Sequence, residues 1–278
     1  MNRLNKFLLI FSGILLLLAA CKPVEKNTLT VMSYNIRYMN DKDGDNSWAN
    51  RCTATPAMLN ALNPDIFGVQ EAYLEQEQYI VEQCPRFAAY GVGRDDGVNK
   101  GERMSIFYNT EVLQMGEHGT WWLSETPEEP SYGWDARCRR TATWARMKDL
   151  RNGREFYFVN THLDHVGDTA RREGLKLVVS RIREMDASIP MVLTGDFNVE
   201  PADSCLTVLE GLMLDARSTA EETDDTPSFN GFKEPLKVID YIYYNGFSKA
   251  MSFRVVNETY EEKPFISDHY PIISKLKY

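Results

Sequence analysis

Eight side chains can hold a hard cation, move a proton or neutralise an anion, and five of them stand where short apolar runs stop. Leu29-Thr-Val-Met-Ser-Tyr runs into Asn35, Asp65-Ile-Phe-Gly-Val-Gln into Glu71, Phe156-Tyr-Phe-Val-Asn-Thr into His162, and Val192-Leu-Thr-Gly into Asp196 and Asn198. Asp240 sits in the apolar run Val238 to Tyr244, and Asp268 and His269 follow Ser267 near the C-terminus. One strand ending in Asn or Asp is ordinary turn chemistry. Repeated along the chain, the pattern marks the rim of a site. In extended backbone, residues i and i+2 share a face, so Asp196 and Asn198 point together while Phe197 turns to the core. A carboxylate inside an apolar strand is costly without a partner, and His269, one of only four histidines, is the partner available to Asp240.

These residues need strands to carry them. Segments rich in β-branched and aromatic residues and bounded by turn formers predict strands over Leu29–Tyr34, Ile66–Val69, Met104–Tyr108, Thr141–Met147, Phe156–Asn160, Met191–Thr194, Val238–Tyr244 and Ile272–Leu276. Apolar residues at helical spacing predict helices around Ala54–Ala61 and Leu175–Ile182, with a further helix over Glu71–Cys84. No linker or repeat interrupts residues 28–278, so one domain is expected, with helices outside stacked sheets.

The ordered motifs Ser-Tyr-Asn35-Ile-Arg, Gln70-Glu71, Asn160-Thr161-His162, Gly195-Asp196-Phe197-Asn198, Ile239-Asp240-Tyr241 and Ser267-Asp268-His269 resemble those of the endonuclease/exonuclease/phosphatase superfamily. The resemblance spans essentially all of the chain beyond Leu29. It implies an α/β four-layer α-β-β-α sandwich of two packed mixed β-sheets, the DNase I-like fold, with a site at one end. It also implies roles: Glu71, Asn35 and Asp268 toward Mg²⁺ or Mn²⁺, a hard cation suited to oxygen ligands. Asp196 would orient or deprotonate water, and Asn198 would hold phosphate or that water. Asp240 would keep His269 protonated, and His269 and His162 would stabilise the phosphoryl oxygens. The expected reaction is in-line attack of water on phosphorus in a mono- or diester; a nuclease, or an inactive binding protein on the same fold, are the alternatives.

Substrate contacts are expected from Arg140, in an Arg-x-x-Thr-Trp element that recurs in bacterial members, and from His165 and Asn230. Trp121-Trp122 and Phe229-Asn230-Gly231-Phe232 read as aromatic loops near the rim, and His118 as structural or surface. The inositol 5-phosphatases carry Trp-Cys-Asp-Arg where this chain has Val238-Ile-Asp-Tyr241, which disfavours that subgroup. The formal net charge of −9 opposes a grip on long nucleic acid, so a small or medium phosphorylated substrate and a monomer are expected.

Residues 1–20 read as a signal peptide: basic Arg3 and Lys6, an apolar run from Phe7, then Leu18-Ala-Ala. Leu18-Ala-Ala-Cys21 resembles the bacterial lipobox, which predicts a lipidated Cys21, a tether over 21–27 and a place on the cell envelope, anchored to membrane. Cys52, Cys84, Cys138 and Cys205 fit no zinc spacing. They read either as free thiols or as disulfides, with Cys52–Cys84 the favoured pairing.

Overall fold

The computed structural model describes residues 27–278. The expected signal peptide, Cys21 and most of the expected tether lie outside them.

Twelve strands carry the fold: β1 (Thr28–Asn35), β2 (Ile66–Gln70), β3 (Phe87–Tyr90), β4 (Ile106–Asn109), β5 (Leu113–Trp122), β6 (Thr141–Asp149), β7 (Glu155–His162), β8 (Met191–Asp196), β9 (Leu214–Asp215), β10 (Asp240–Asn245), β11 (Lys249–Val255) and β12 (Ile272–Lys277). They form two six-stranded sheets, ordered β11-β12-β1-β2-β4-β3 and β5-β6-β7-β8-β10-β9. Each is mixed: β1 runs parallel to β2 and β7 parallel to β8, amid antiparallel neighbours. The helices are α1 (Trp48–Arg51), α2 (Ala54–Leu62), α3 (Leu74–Gln83), α4 (Asp168–Glu184) and α5 (Ala216–Thr219).

Period-2 alternation explains the layering. On β1, Leu29 and Val31 enter the core between the sheets, while Met32 and Tyr34 face the core that holds Met58 and Leu59 of α2 and Ile80 of α3. On β7, Phe156 and Phe158 join the inter-sheet core, while Tyr157 and Val159 pack with Leu175, Val178 and Ile182 of α4. The order is helix, sheet, sheet, helix: the expected four-layer sandwich of two packed mixed β-sheets.

Beneath the site, Asn160 joins the sheets. Its Nδ2 donates to the Val69 and Ser105 carbonyls at 2.9 and 3.1 Å, and its Oδ1 accepts from Gln70 Nε2 at 2.7 Å. Residue 68 must be glycine here, because a Cβ would lie 2.3 Å from Asn160 Oδ1.

Several expectations change. Glu71 is not helical: it adopts φ +66° at the end of β2, and α3 begins at Leu74. β10 starts at Asp240, which therefore opens the strand instead of sitting inside it. Trp121 and Trp122 belong to β5, not to a rim loop; Trp121 stacks on Trp144 with ring centroids 5.7 Å apart. β5 lacked the expected apolar signature because its middle is open to solvent, and β3, β9 and β11 were not expected either. Cys52 and Cys84 are free thiols. Each faces its own polar acceptor, Ala49 O for Cys52 and Asn60 Oδ1 for Cys84, which corrects the favoured disulfide.

Candidate active site

Strand register assembles the site. His162 pairs with Asp196 across β7 and β8, and Asp196 pairs with Asp240 across β8 and β10, so three functional residues share one rung. In the other sheet, Asn35 pairs with Gln70, which brings Glu71 beside it. The chain before β12 adds Asp268 and His269, tied down by the Ser267 hydroxyl donating to the Asn35 carbonyl at 2.7 Å.

Asp196 Oδ2 is the hub. It accepts from Asn35 Nδ2 at 2.9 Å and lies 3.4 Å from His162 Nε2 and 3.7 Å from His269 Nε2. His269 Nδ1 meets Asp240 Oδ2 at 2.9 Å. Burial by itself would lower the His269 pKa; the Asp240 and Asp196 carboxylates overcome that and push it up to about 10. His269 is therefore an imidazolium at neutral pH. Burial raises Asp196, His269 lowers it and Asp240 raises it, for a result of about 7.

His162 is the opposite case. Asn198 Nδ2 donates to the Leu163 carbonyl at 3.0 Å, and this fixes which amide atom is nitrogen. The same nitrogen lies 3.0 Å from His162 Nε2, which must accept. Burial, then the Arg140 and Arg94 charges, lower the His162 pKa well below its ordinary value. His162 is neutral in this arrangement, so any part it plays at phosphoryl oxygens would be without a formal charge.

Asn35 is corrected on similar grounds. Its Oδ1 accepts from the Arg37 N–H at 3.0 Å, while Nδ2 reaches Asp196 and, at 3.2 Å, Glu71 Oε1. Asn35 turns a donor toward the carboxylates, so it positions them and is not a metal ligand. Asp268 faces the pocket but lies 3.6 Å from Arg37 Nη1, outside the tight acidic groups. Asn230 is fully buried: its Nδ2 donates to the Ser267 carbonyl at 3.2 Å and its Oδ1 accepts from Phe232 N at 2.8 Å. It does not reach the pocket, so a substrate contact there is corrected; its neighbour Phe229 lines the cavity instead.

Glu71, His162 and Asp196 offer atoms within 4.8 Å of one another. Glu71 also accepts the Tyr38 N–H at 3.2 Å, which orients its carboxylate. Two carboxylates, Glu71 and Asp196, converge here, and burial has raised the second of them. That donor set fits a hard divalent cation. Arg37, Glu71 and Asn198 all adopt positive φ, at 58°, 66° and 54°. For an Arg or Glu such a conformation is strained, and strain of this kind concentrates at functional sites.

These groups floor a cavity of about 910 Å³. Arg140 and His165 line its wall as expected, with Arg171 beside them. Sequence reasoning missed Arg94 and Glu102, which face the same space. They flank a turn in which Arg94 N donates to the Glu102 carbonyl at 3.0 Å and Asp96 Oδ1 collects the N–H groups of Val98, Asn99 and Lys100. The signal was the glycine-rich stretch Gly91 to Gly101 leading into Glu102-Arg103, just before a predicted strand. Burial and nearby Glu71 raise Glu102 to about 7.

Residues 32–269 match the family model described as Endonuclease/Exonuclease/phosphatase family. The chain belongs to this family. An endonuclease/exonuclease/phosphatase family protein from Bacteroides thetaiotaomicron has the same fold at TM-score 0.85 and 35% identity, with 90% of this chain and 97% of that one covered. A Bacteroides thetaiotaomicron mannosyl-6-phosphatase is similar at TM-score 0.85 and 34% identity, over 90% and 100% of the two chains. Among curated proteins, an uncharacterised protein of Acanthamoeba polyphaga mimivirus is 26% identical over 251 residues, 81% of this chain and 91% of its own length. Within the endonuclease/exonuclease/phosphatase family, then, the chain has a phosphoesterase fold and resembles the mannosyl-6-phosphatase over 90% of its own length.

Proposed function

We propose that this protein is a Mg²⁺- or Mn²⁺-dependent hydrolase of small phosphorylated molecules, anchored outside the cytoplasm by lipid on Cys21. The carrying observation is Asp196 Oδ2, which lies within 4 Å of both an imidazolium and a neutral imidazole while Asn35 holds it in place.

Glu71 would hold the cation, with Asp196 beside it to act on the attacking water. When bound, the cation supplies Lewis-acid charge neutralisation at phosphoryl oxygens. Asp196, with a pKa of about 7, is matched to accept a proton from water at neutral pH. His269, held protonated by Asp240, donates to the oxygen that gains charge as phosphorus is attacked. Asn198 is braced by the Leu163 carbonyl, which leaves its amide oxygen free to orient the water or substrate. Asp196, His162 and His269 are each at most 4% exposed, and a low-dielectric floor strengthens the contacts among them.

The likeness to a mannosyl-6-phosphatase supports a phosphorylated sugar as substrate. The acidic balance of the chain counts against long nucleic acid. The test is a screen of phosphate mono- and diesters, mannose 6-phosphate among them, on chelator-treated protein with and without added Mg²⁺ or Mn²⁺. Turnover restored by the cation is expected. Full turnover in chelator would overturn the metal-dependent reading.

A further inference from the structure

The cavity wall holds two guanidinium N–H groups that have no partner. Arg140 is 5% exposed; its Nε donates to Asp164 Oδ2 at 3.2 Å, its Nη2 lies 2.8 Å from His165 Nδ1, and its Nη1 is buried without an acceptor. Arg94 donates from Nη1 to Glu102 Oε2 at 2.5 Å, while its Nε is buried and also unpaired. Four other arginines among the described residues have such an atom, and none of those lines the cavity. An unpaired buried donor is costly and calls for an explanation, and at a ligand-binding wall the explanation is a ligand oxygen.

The two arginines are also held where they stand. Asp164 receives the Val166 and Gly167 N–H groups at 2.9 and 2.8 Å, so it cannot swing away from Arg140. Trp122 Nε1 donates to the Arg94 carbonyl at 2.8 Å, pinning the backbone on the other side. Arg94 and Arg140 line the same cavity as His162 and Asp196.

A phosphomonoester presents three non-bridging oxygens and close to two negative charges. A diester has two such oxygens and one charge, and its second organic group takes the place of the third oxygen. His269 and a cation at Glu71 would serve the features both esters share. Two further guanidiniums, each ion-paired on one side (Arg94 to Glu102, Arg140 to Asp164) and each left with one buried, unpaired N–H, suit what the monoester adds. Resting on the phosphoesterase reading, we infer that Arg94 and Arg140 form a clamp for the third oxygen of a phosphomonoester and make this protein a monoesterase. Arginine serves here because it keeps its charge when buried and offers donors in a rigid plane.

The test compares kcat/KM for p-nitrophenyl phosphate and bis-p-nitrophenyl phosphate, with Mg²⁺ or Mn²⁺ present, in the wild-type protein, Arg94→Lys and Arg140→Lys. The wild type should favour the monoester. Each variant should lose about tenfold or more on the monoester and change little on the diester. A wild type that favours the diester, or variants that lose equally on both, would overturn the clamp while leaving hydrolysis intact. No turnover of either ester would instead remove the reading on which the clamp rests. A binding measurement needs no variant: inorganic phosphate should bind the wild type by calorimetry and dimethyl phosphate should not, and equal binding of the two would also overturn it.

Discussion

Asn35 Nδ2 donates to Asp196 Oδ2 at 2.9 Å, linking the last residue of β1 in one sheet to the last residue of β8 in the other. The same amide reaches Glu71, so one side chain sets the spacing between the carboxylate that would hold the cation and the one that would take the proton. Asn35→Ala is expected to lower kcat by about tenfold or more, since a hydrogen bond to a charged group is lost, and to weaken Mg²⁺ affinity while the fold persists. Unchanged metal dependence in a titration would show that Glu71 and Asp196 keep their places unaided.

Asp196→Asn is nearly isosteric but cannot take a proton. The expected cost is about 10²–10⁴-fold in kcat, with an unchanged circular dichroism spectrum. An undiminished kcat would remove Asp196 from the proton-transfer role.

Glu71→Gln keeps the length of the side chain and loses its charge. The expected result is weaker cation binding, seen as a shift of the activation curve to higher Mg²⁺ or Mn²⁺, with kcat partly recovered at saturation. A kcat loss that no cation concentration relieves would point to a role other than holding the ion.

His269 carries a pKa raised from an ordinary 6.5 to about 10. A raised imidazole contributes stability that is full below pH 6.5 and is lost as pH rises through about 10. Asp240→Asn removes the carboxylate that raises it most. The gap in Tm between wild type and Asp240→Asn should therefore be widest near pH 6 and close toward pH 10. A gap that grows with pH would contradict the pairing.

Cys21→Ser is expected to shift the protein from the membrane fraction to the soluble fraction, or to leave an unprocessed precursor. The measurement is fractionation of cells with immunodetection. An unchanged membrane fraction would count decisively against lipidation.

What the sequence determined by itself was the set of chemically able residues and the strands that carry them. Asn35, Glu71, His162 and Asp196 are legible because each follows an apolar run, and the alternation within those runs already implies the layers on either side of each sheet. These signals are local, and local signals survive without a fold. Tertiary structure decided which atoms meet. The Arg37 N–H turns the Asn35 oxygen away from the cation site, and Asn198, fixed by the Leu163 carbonyl, makes His162 an acceptor. Asn230 looked available for substrate, yet the Ser267 carbonyl and Phe232 N–H consume its amide. Arg94 and Glu102 join the site through a turn whose closure depends on backbone bonds that composition does not display. The physical reason is the same throughout. A side chain's type and facing follow from its neighbours in the chain, whereas its partner, charge and free lone pairs follow from groups that only strand register and sheet packing bring within 3 to 4 Å.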